Sequence, residues 1–406
     1  MDINWKRNTA LFLTGQALSI FGSMVVQYAI LWHITLKTQS GTMMAIISFA
    51  LFLPMFLISP FAGVWADRFN RKYIINISDG AIAFASLIVT VLVFFGIDNF
   101  GILLCCAVIR SFGQGVQMPA VGALIPQIVP QESLTKINGF QSSIQSLTML
   151  TAPMISGALM SFAPLEVLFF LDVITAAIGI SILFFFVKTP PMEKAETESR
   201  TKGIEYFKDL KAGLNYIKRN NYILWLFVFS ALFLIFAAPS AFLSGLQVTR
   251  DFGNDVWRLT AIEITFSIGM MIGGVLIGMW GGFKNRIFTM VFATVLYGFG
   301  VISLGLADNF WVYTGIMAVI GITMPLYSTP AMVLVQTTVE SVFMGRVMSV
   351  FTMVQSVMMP LGMLVFGPVA DMINIDFLMI GTGAVIALTS IPFIANKALR
   401  EAGKPV

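Results

Sequence analysis

The chain contains twelve apolar runs, each about as long as a helix needs to cross a bilayer, which takes ~20 residues. Apolar residues make up 57% of the chain and charged residues 11%, whereas charged residues are about 25% of a typical soluble protein. Because lipid offers backbone groups no partners, runs that do not alternate must be helices. The sequence therefore predicts an all-α integral membrane protein. The predicted spans are 9–36, 42–66, 73–96, 100–124, 138–163, 165–187, 221–248, 257–281, 286–307, 310–335, 345–371 and 376–396.

One charged segment interrupts this pattern and divides the runs into two sets of six. We predict an N-terminal six-helix bundle over 1–187, a cytoplasmic linker over 188–220 and a C-terminal six-helix bundle over 221–406. Within the linker, residues 203–219 place apolar side chains three or four apart, which predicts an amphipathic helix lying on the membrane surface. These apolar positions are Ile204, Phe207, Leu210, Leu214 and Ile217.

The two halves resemble one another. The segment Gly115-Val-Gln-Met-Pro119 returns as Gly321-Ile-Thr-Met-Pro325. Six spans return the chain to the same side of the membrane, so the repeats are parallel and related by an axis along the membrane normal. Most of the Lys and Arg residues fall in segments that share one side if the N-terminus is cytoplasmic. The positive-inside rule then predicts that both termini are cytoplasmic.

A short basic connection lies between the second and third spans, Gly63-Val-Trp-Ala-Asp67-Arg68-Phe-Asn-Arg71-Lys72. Gly63 would allow two helices to approach closely, and the basic residues would hold the loop in the cytoplasm. The spacing G-x-x-x-D-R-x-x-R-K resembles the signature loop of the major facilitator superfamily. This resemblance implies that superfamily's fold of two six-helix bundles, with a substrate site between the halves near the midplane.

The resemblance also implies a gate. In the superfamily, the acidic and basic residues of the signature loop contact helix 11 on the cytoplasmic side, and breaking these contacts opens the inner gate. Arg346 begins helix 11 here, and Asp371 ends it with a Gly-x-x-x-Asp spacing like that of the loop. The expected gate and motif residues are Gly63, Asp67, Arg68, Arg71, Lys72, Arg346 and Asp371.

One arginine lies deep inside a predicted span. Arg110 is about ten residues into helix 4, or roughly 15 Å deep. A central arginine costs about 2.5–3.5 kcal/mol, so Arg110 must face water or a partner. Arg110-Ser-Phe-Gly-Gln114-Gly115 resembles the helix-4 motif of drug/proton antiporters, in which the arginine is tied to proton coupling. The alternative is a structural ion pair.

Three carboxylates also lie more than one helical turn from the ends of predicted spans. Glu263 is in helix 8, Asp172 in helix 6 and Asp79 in helix 3. A partly desolvated carboxylate can load a proton, and we rank Glu263 first because helices of its class flank the central cavity in this fold. Helices 3 and 6 are peripheral in the superfamily, which favours structural roles for Asp79 and Asp172. Asp79 could also neutralise the nearby basic loop.

Several function classes find no support in the residues. The chain contains no phosphate-binding G-x-x-x-x-G-K-[ST] loop and no His/Cys cluster with metal-ligand spacing. We therefore expect a protein that is not an enzyme and has no cofactor. The energy for transport would come from an ion gradient, with the proton as the expected ion, or from the gradient of the substrate itself. The net charge of +4 is spread over loops and does not indicate nucleic-acid binding.

A narrower resemblance is carried by motifs spread along the whole chain. Asn4-Trp-Lys-Arg7, Gly15-Gln16-Ala17, Leu134-Thr-Lys136 and Gly345-Arg-Val347 are similar to the macrolide-efflux branch of drug/proton antiporters. This implies a multi-pass exporter in the bacterial plasma membrane for bulky, apolar, often cationic drugs such as macrolides. We expect a monomer that contacts membrane lipids. The expected substrate contacts are Gln16, Gln27, Gln114, Gln117, Ser240 and Tyr327.

Two alternatives remain open at this point. The same fold could carry a lipid or a metabolite, for example as a lysophospholipid flippase. The chain could also be a membrane partner subunit without transport of its own, because macrolide exporters of this type are reported to cooperate with ATP-binding-cassette proteins.

Overall fold

A computed structural model describes residues 5–189, 206–340 and 343–403, and it is helical almost throughout. The helices begin and end close to the predicted spans. They are α1 Trp5–Thr38, α2 Gly41–Arg68, α3 Arg71–Phe94, α4 Phe100–Ile128, α5 Leu134–Phe162, α6 Leu165–Ser181 with a π-helical extension Ile182–Phe186, α7 Tyr206–Arg219, α8 Asn221–Asp251, α9 Val256–Trp280, α10 Arg286–Leu304, α11 Phe310–Thr338, α12 Met344–Met372, α13 Ile375–Ala395 and α14 Lys397–Ala402.

Eleven of the described helices are long and apolar enough to cross a membrane. They correspond to eleven of the twelve predicted spans. The remaining predicted span, 138–163, forms helix α5, whose sequence is richer in polar residues. The all-helical membrane fold predicted from the sequence is therefore confirmed, while the count of twelve spans and the side on which the termini lie stay predictions.

Asparagine caps explain where several of the helices begin. The side chain of Asn70 accepts a hydrogen bond from the backbone nitrogen of Lys72, and Asn99 caps α4 in the same way through Ile102. Asn309 does the same for α11. Such caps satisfy backbone N–H groups that the first turn leaves unpaired. They allow short connections: only Phe69 and Asn70 separate α2 from α3.

The contacts divide the chain into two compact units. The first comprises residues 1–33 and 50–204, and the second comprises 34–49 and 205–406. Residues 34–49, which form the end of α1 and the start of α2, thus pack with the second unit. The predicted boundaries at 187/188 and 220/221 stay predictions.

Glycines bring α1 and α6 together within the first unit. A Cβ atom on Gly179 would lie 2.8 Å from the carbonyl oxygen of Gly15, and a Cβ on Gly22 would collide with Thr175. Side chains at these positions would push the helices apart, so their absence permits close packing. This approach carries Asp172 on α6 to the polar face of α1, where the site described below is built.

Helix α10 meets α13 through glycines in the second unit. A Cβ on Gly383 would lie 2.7 Å from the carbonyl oxygen of Gly298. The predicted amphipathic helix is present as α7, and Gly213 of α7 lies directly against the backbone of Arg346 at the start of α12. Of its predicted apolar face, Ile217 is buried and Leu214 is exposed. Residue Ile204 and the side chains of Phe207 and Leu210 lie outside the described part of the chain.

Candidate functional site

Arg110 is fully buried in the first unit and ion-paired there. Its guanidinium donates to Asp172 and to the hydroxyl of Ser86 at 2.5 Å, and to the carbonyl oxygen of Ser23 at 2.9 Å. Asp172 also accepts from the hydroxyls of Ser23, at 3.2 Å, and Ser86, at 2.7 Å. Arg110 and Asp172 are 1% and 0% exposed. We call this group the Arg110 layer; its residues come from α1, α3, α4 and α6.

A second polar group surrounds Asp79 of α3, which is 2% exposed. Asp79 accepts from the hydroxyl of Ser19 on α1 at 2.8 Å and from the amide of Gln117 on α4 at 2.6 Å. The Gln117 amide nitrogen also lies 3.5 Å from the side-chain oxygen of Gln16. We call Ser19, Asp79 and Gln117 the Asp79 layer. The contacts of Asp79 are thus with neutral donors of α1 and α4 and not with the basic loop that it could have neutralised.

The remaining predicted site residues lie in different surroundings. Glu263 on α9 is half-buried, as are Gln27 on α1 and Gln114 on α4. Ser240 is buried within the second unit, where its hydroxyl lies 2.8 Å from that of Tyr297. Tyr327 is also buried in the second unit, where its ring packs against Phe233 with centroids 4.4 Å apart. Their predicted roles in coupling and substrate binding stay predictions.

Two basic side chains at the connection between α2 and α3 donate hydrogen bonds to backbone carbonyl oxygens. Arg68 is exposed and ends α2, and the guanidinium of Arg71 donates to the carbonyl oxygen of Ala66 at 2.8 Å. Lys72 donates to the carbonyl oxygen of Val187 at 2.7 Å. The side chain of Asp67 lies outside the described part of the structure.

The close helix contact expected at Gly63 is absent from the described residues. A Cβ atom placed on Gly63 would meet no described heavy atom within 4 Å. The predicted role of Gly63 in the loop motif stays a prediction.

Asp371 at the end of α12 binds the first turn of α2. Its carboxylate accepts from the backbone nitrogens of Gly41, at 2.7 Å, and Thr42, at 2.9 Å, and from the hydroxyls of Ser40 and Thr42. Arg250 pairs with Asp371 at 3.1 Å and donates to the carbonyl oxygen of Gln39 at 2.7 Å. We call this group the Asp371 clasp. All of it lies in the second unit.

Arg346, the other residue of helix 11 predicted to belong to the gate, is half-buried at the start of α12. Its guanidinium lies over the ring of Phe343, 5.8 Å from the centroid. Phe343 in turn stacks on Tyr216 of α7, with ring centroids 4.5 Å apart. Arg346 therefore contributes to the packing of α7 on the second unit.

The family model for the Major Facilitator Superfamily matches residues 12–363. The chain belongs to this superfamily. Macrolide efflux protein A of Streptococcus pyogenes is 29% identical over 395 residues, covering 96% of both chains. Macrolide efflux protein A of Enterococcus faecalis is 28% identical over 314 residues, covering 77% of this chain and 96% of that one.

Solved structures agree on the fold of this major facilitator protein. The POT family transporter PepTSo superposes with a TM-score of 0.74 at 13% identity, covering 98% of this chain and 99% of that one. Such a likeness shows the fold alone. Together with the family match and the eleven candidate spans, it identifies a major facilitator transporter that crosses the bacterial cytoplasmic membrane several times. The related proteins belong to a superfamily of transporters, and the expectation that this chain is not an enzyme stays a prediction.

Four residues of the Arg110 layer, the Asp79 layer and the Asp371 clasp were not among the residues predicted from the sequence. Ser19, Ser23 and Ser86 bind the buried carboxylates, and Arg250 pairs with Asp371. Ser19 and Ser23 lie four residues apart on α1, so helical periodicity puts them on one face. That spacing was the available signal, but serine is common in membrane helices and its partner cannot be read from α1 alone.

Proposed function

We propose that this major facilitator protein exports macrolide-like drugs by alternating access in exchange for protons. The substrate class is supported by the macrolide efflux proteins, which align with 96% of this chain at 29% identity. Bulky, apolar and often cationic molecules are therefore the first substrates to test. The protein would act as a monomer without a cofactor.

Proton coupling is supported by the buried charges of the first unit. Arg110, Asp172 and Asp79 are each at most 2% exposed within candidate membrane spans. Ionisable groups in such spans are costly and usually mark ion pathways or proton relays. This cluster of one guanidinium and two carboxyl groups is the single structural observation that carries the proposal of ion-coupled transport.

Uptake by purified protein in liposomes tests the proposal. Radiolabelled erythromycin should accumulate when the lumen is more acidic than the medium, because protons that leave down their gradient drive the drug inward. A protonophore should abolish the accumulation. Liposomes without protein, under the same gradient, should show only the smaller uptake that a weak base reaches by passive trapping in an acidic lumen. Accumulation only with an alkaline lumen would indicate symport, and no transport under either gradient would overturn the proposal.

A further inference from the structure

We propose that Asp79 is the carboxyl group that binds and releases the coupling proton, while Asp172 stays ionised as the fixed partner of Arg110. This inference rests on the proposed proton-coupled transport and assigns its proton to one residue. It follows from the different partners of two carboxyl groups that are equally buried.

The Arg110 layer is balanced in charge. An arginine side chain stays protonated in proteins, and the Arg110 guanidinium donates directly to Asp172. The hydroxyls of Ser23 and Ser86 supply Asp172 with two more hydrogen bonds. A buried ion pair whose other hydrogen-bonding groups are also satisfied is costly to break, since losing one partner leaves a buried charge uncompensated. Asp172 is therefore held in its ionised form.

The Asp79 layer lacks such a counter-charge. Among the described residues, Asp79 accepts from the hydroxyl of Ser19 and the amide of Gln117, both neutral. No Lys or Arg nitrogen of the described residues lies within 4 Å of its carboxylate, because the buried guanidinium nearby pairs with Asp172. An ionised Asp79 would thus add an unbalanced negative charge to a buried site, at a cost of several kcal/mol.

The two layers are close enough to influence each other. From one layer to the other the chain advances four residues on α1, from Ser19 to Ser23, and seven on α3, from Asp79 to Ser86. At 1.5 Å per residue these steps are about 6 and 10 Å. Two ionised carboxylates at this separation in a buried site repel each other.

The charged and titratable groups around Asp79 are few in the described residues. Helix α6 contributes Asp172, which is itself paired with Arg110 of α4. Helix α1 presents only the neutral Ser19 and Gln16. A proton on Asp79 makes the two layers neutral together, and its release leaves one net negative charge. This change of charge is what a proton needs to bias a conformational equilibrium.

Two variants separate Asp79 from Asp172. Asp79→Asn imitates the protonated group and keeps an oxygen that can accept from Ser19. In liposomes it should retain exchange of labelled for unlabelled erythromycin at equal pH, but its stimulation by a pH gradient should fall by about tenfold or more. Asp79→Glu should restore part of that stimulation. Asp172→Asn leaves Arg110 without its anion and should mainly lower the midpoint of thermal unfolding.

Infrared difference spectroscopy provides a readout that needs no substrate. When pH is raised, the wild type should lose the carbonyl band of a protonated carboxylic acid, and Asp79→Asn should lack this change. If the pH-dependent loss of this band is absent from Asp172→Asn and present in Asp79→Asn, the assignment is overturned. Full gradient stimulation in a folded Asp79→Asn protein would overturn it as well.

The outcomes distinguish this inference from the proposed function. A wild type that moves no erythromycin contradicts the proposed function, while the infrared measurement still tests proton binding at Asp79. A wild type that exports erythromycin with a proton gradient, together with an unaffected Asp79→Asn variant, contradicts the assignment alone. If Asp79→Asn does not fold, Asp79→Glu and the wild-type infrared band decide the matter.

Discussion

The carboxylate of Asp371 links the end of α12 to the start of α2. Asp371 satisfies backbone and side-chain donors at the first turn of α2 and pairs with Arg250. A negative charge at a helix N-terminus is favourable because the first N–H groups have no partner within the helix. The residue thus acts as a cap supplied from a distant helix.

Replacing Asp371 with Asn should loosen this cap, because one carboxylate oxygen and the charge are lost. Hydrogen bonds to a charged group contribute about 1.5–3 kcal/mol, and a loss of about 2 kcal/mol corresponds to a roughly thirtyfold larger equilibrium constant for local opening. Hydrogen–deuterium exchange of the Gly41 and Thr42 amides in lipid nanodiscs measures this change. Asp308→Asn, which makes the same change at an exposed site, is the matched control. Equal exchange in both variants would show that the clasp carries no stability.

The sequence indicates which charged residues lie inside the membrane spans, but it does not indicate how they pair. Arg110, Asp79 and Asp172 stand out because a charge in an apolar run is costly wherever it lies. Their pairing does not stand out, since it depends on which faces of α1, α3, α4 and α6 meet. The ranking of Glu263 first came from helix class alone, whereas the buried layers of the first unit were visible only in three dimensions.

Glycine contacts between helices dominate the packing at the scale of elements. In membranes, helices associate through close van der Waals packing, and small residues permit the approach. Helices α10 and α13 meet where Gly298 and Gly383 face each other's backbone. Gly381, two residues earlier on α13, faces open space.

Gly383→Ala should therefore destabilise the protein and Gly381→Ala should not. A Cβ on Gly383 would lie 2.7 Å from the carbonyl oxygen of Gly298 and 2.8 Å from the backbone nitrogen of Ile302, neither of which is a flexible side-chain atom. Overpacking of this kind costs about 1–3 kcal/mol. Thermal unfolding in detergent, followed by tryptophan fluorescence, compares the two variants. A Gly383→Ala protein as stable as Gly381→Ala would mean that α10 and α13 can separate at little cost.

The elements themselves were largely predictable. Long apolar runs predict helices because the bilayer permits little else, and α7 was predicted from its period of three to four residues. The ends of the helices moved by a few residues: α2 continues to Arg68 and α8 to Asp251. Capping asparagines and basic side chains extend a helix beyond its apolar stretch, and hydropathy does not detect them.

The distribution of basic residues predicts the orientation of the whole molecule. Segments rich in Lys and Arg stay in the cytoplasm during insertion, and here they include both ends of the chain. The protein's membership of the major facilitator superfamily is compatible with this orientation.

Green fluorescent protein fused after Val406 should fluoresce, because this reporter folds in the cytoplasm and fails after export through the general secretion route. A fusion to a chain truncated after Gly253, beyond the end of α8, should be dark with the same membrane insertion. Whole-cell fluorescence normalised to fusion protein on an immunoblot measures both. A dark full-length fusion with a bright truncated one would reverse the predicted orientation.

Because residues 34–49 pack with the second unit, the chain cannot be expressed as two polypeptides that each contain one complete unit. The backbone passes between the units at 33–34 and 49–50 as well as at 204–205. A break placed between α6 and α7 would therefore not produce two polypeptides that each contain a complete unit, because the N-terminal polypeptide would still carry residues 34–49, which pack with the second unit. Co-expressed halves should recognise each other through this segment, and either half made alone should be an incomplete folding unit that the cell degrades.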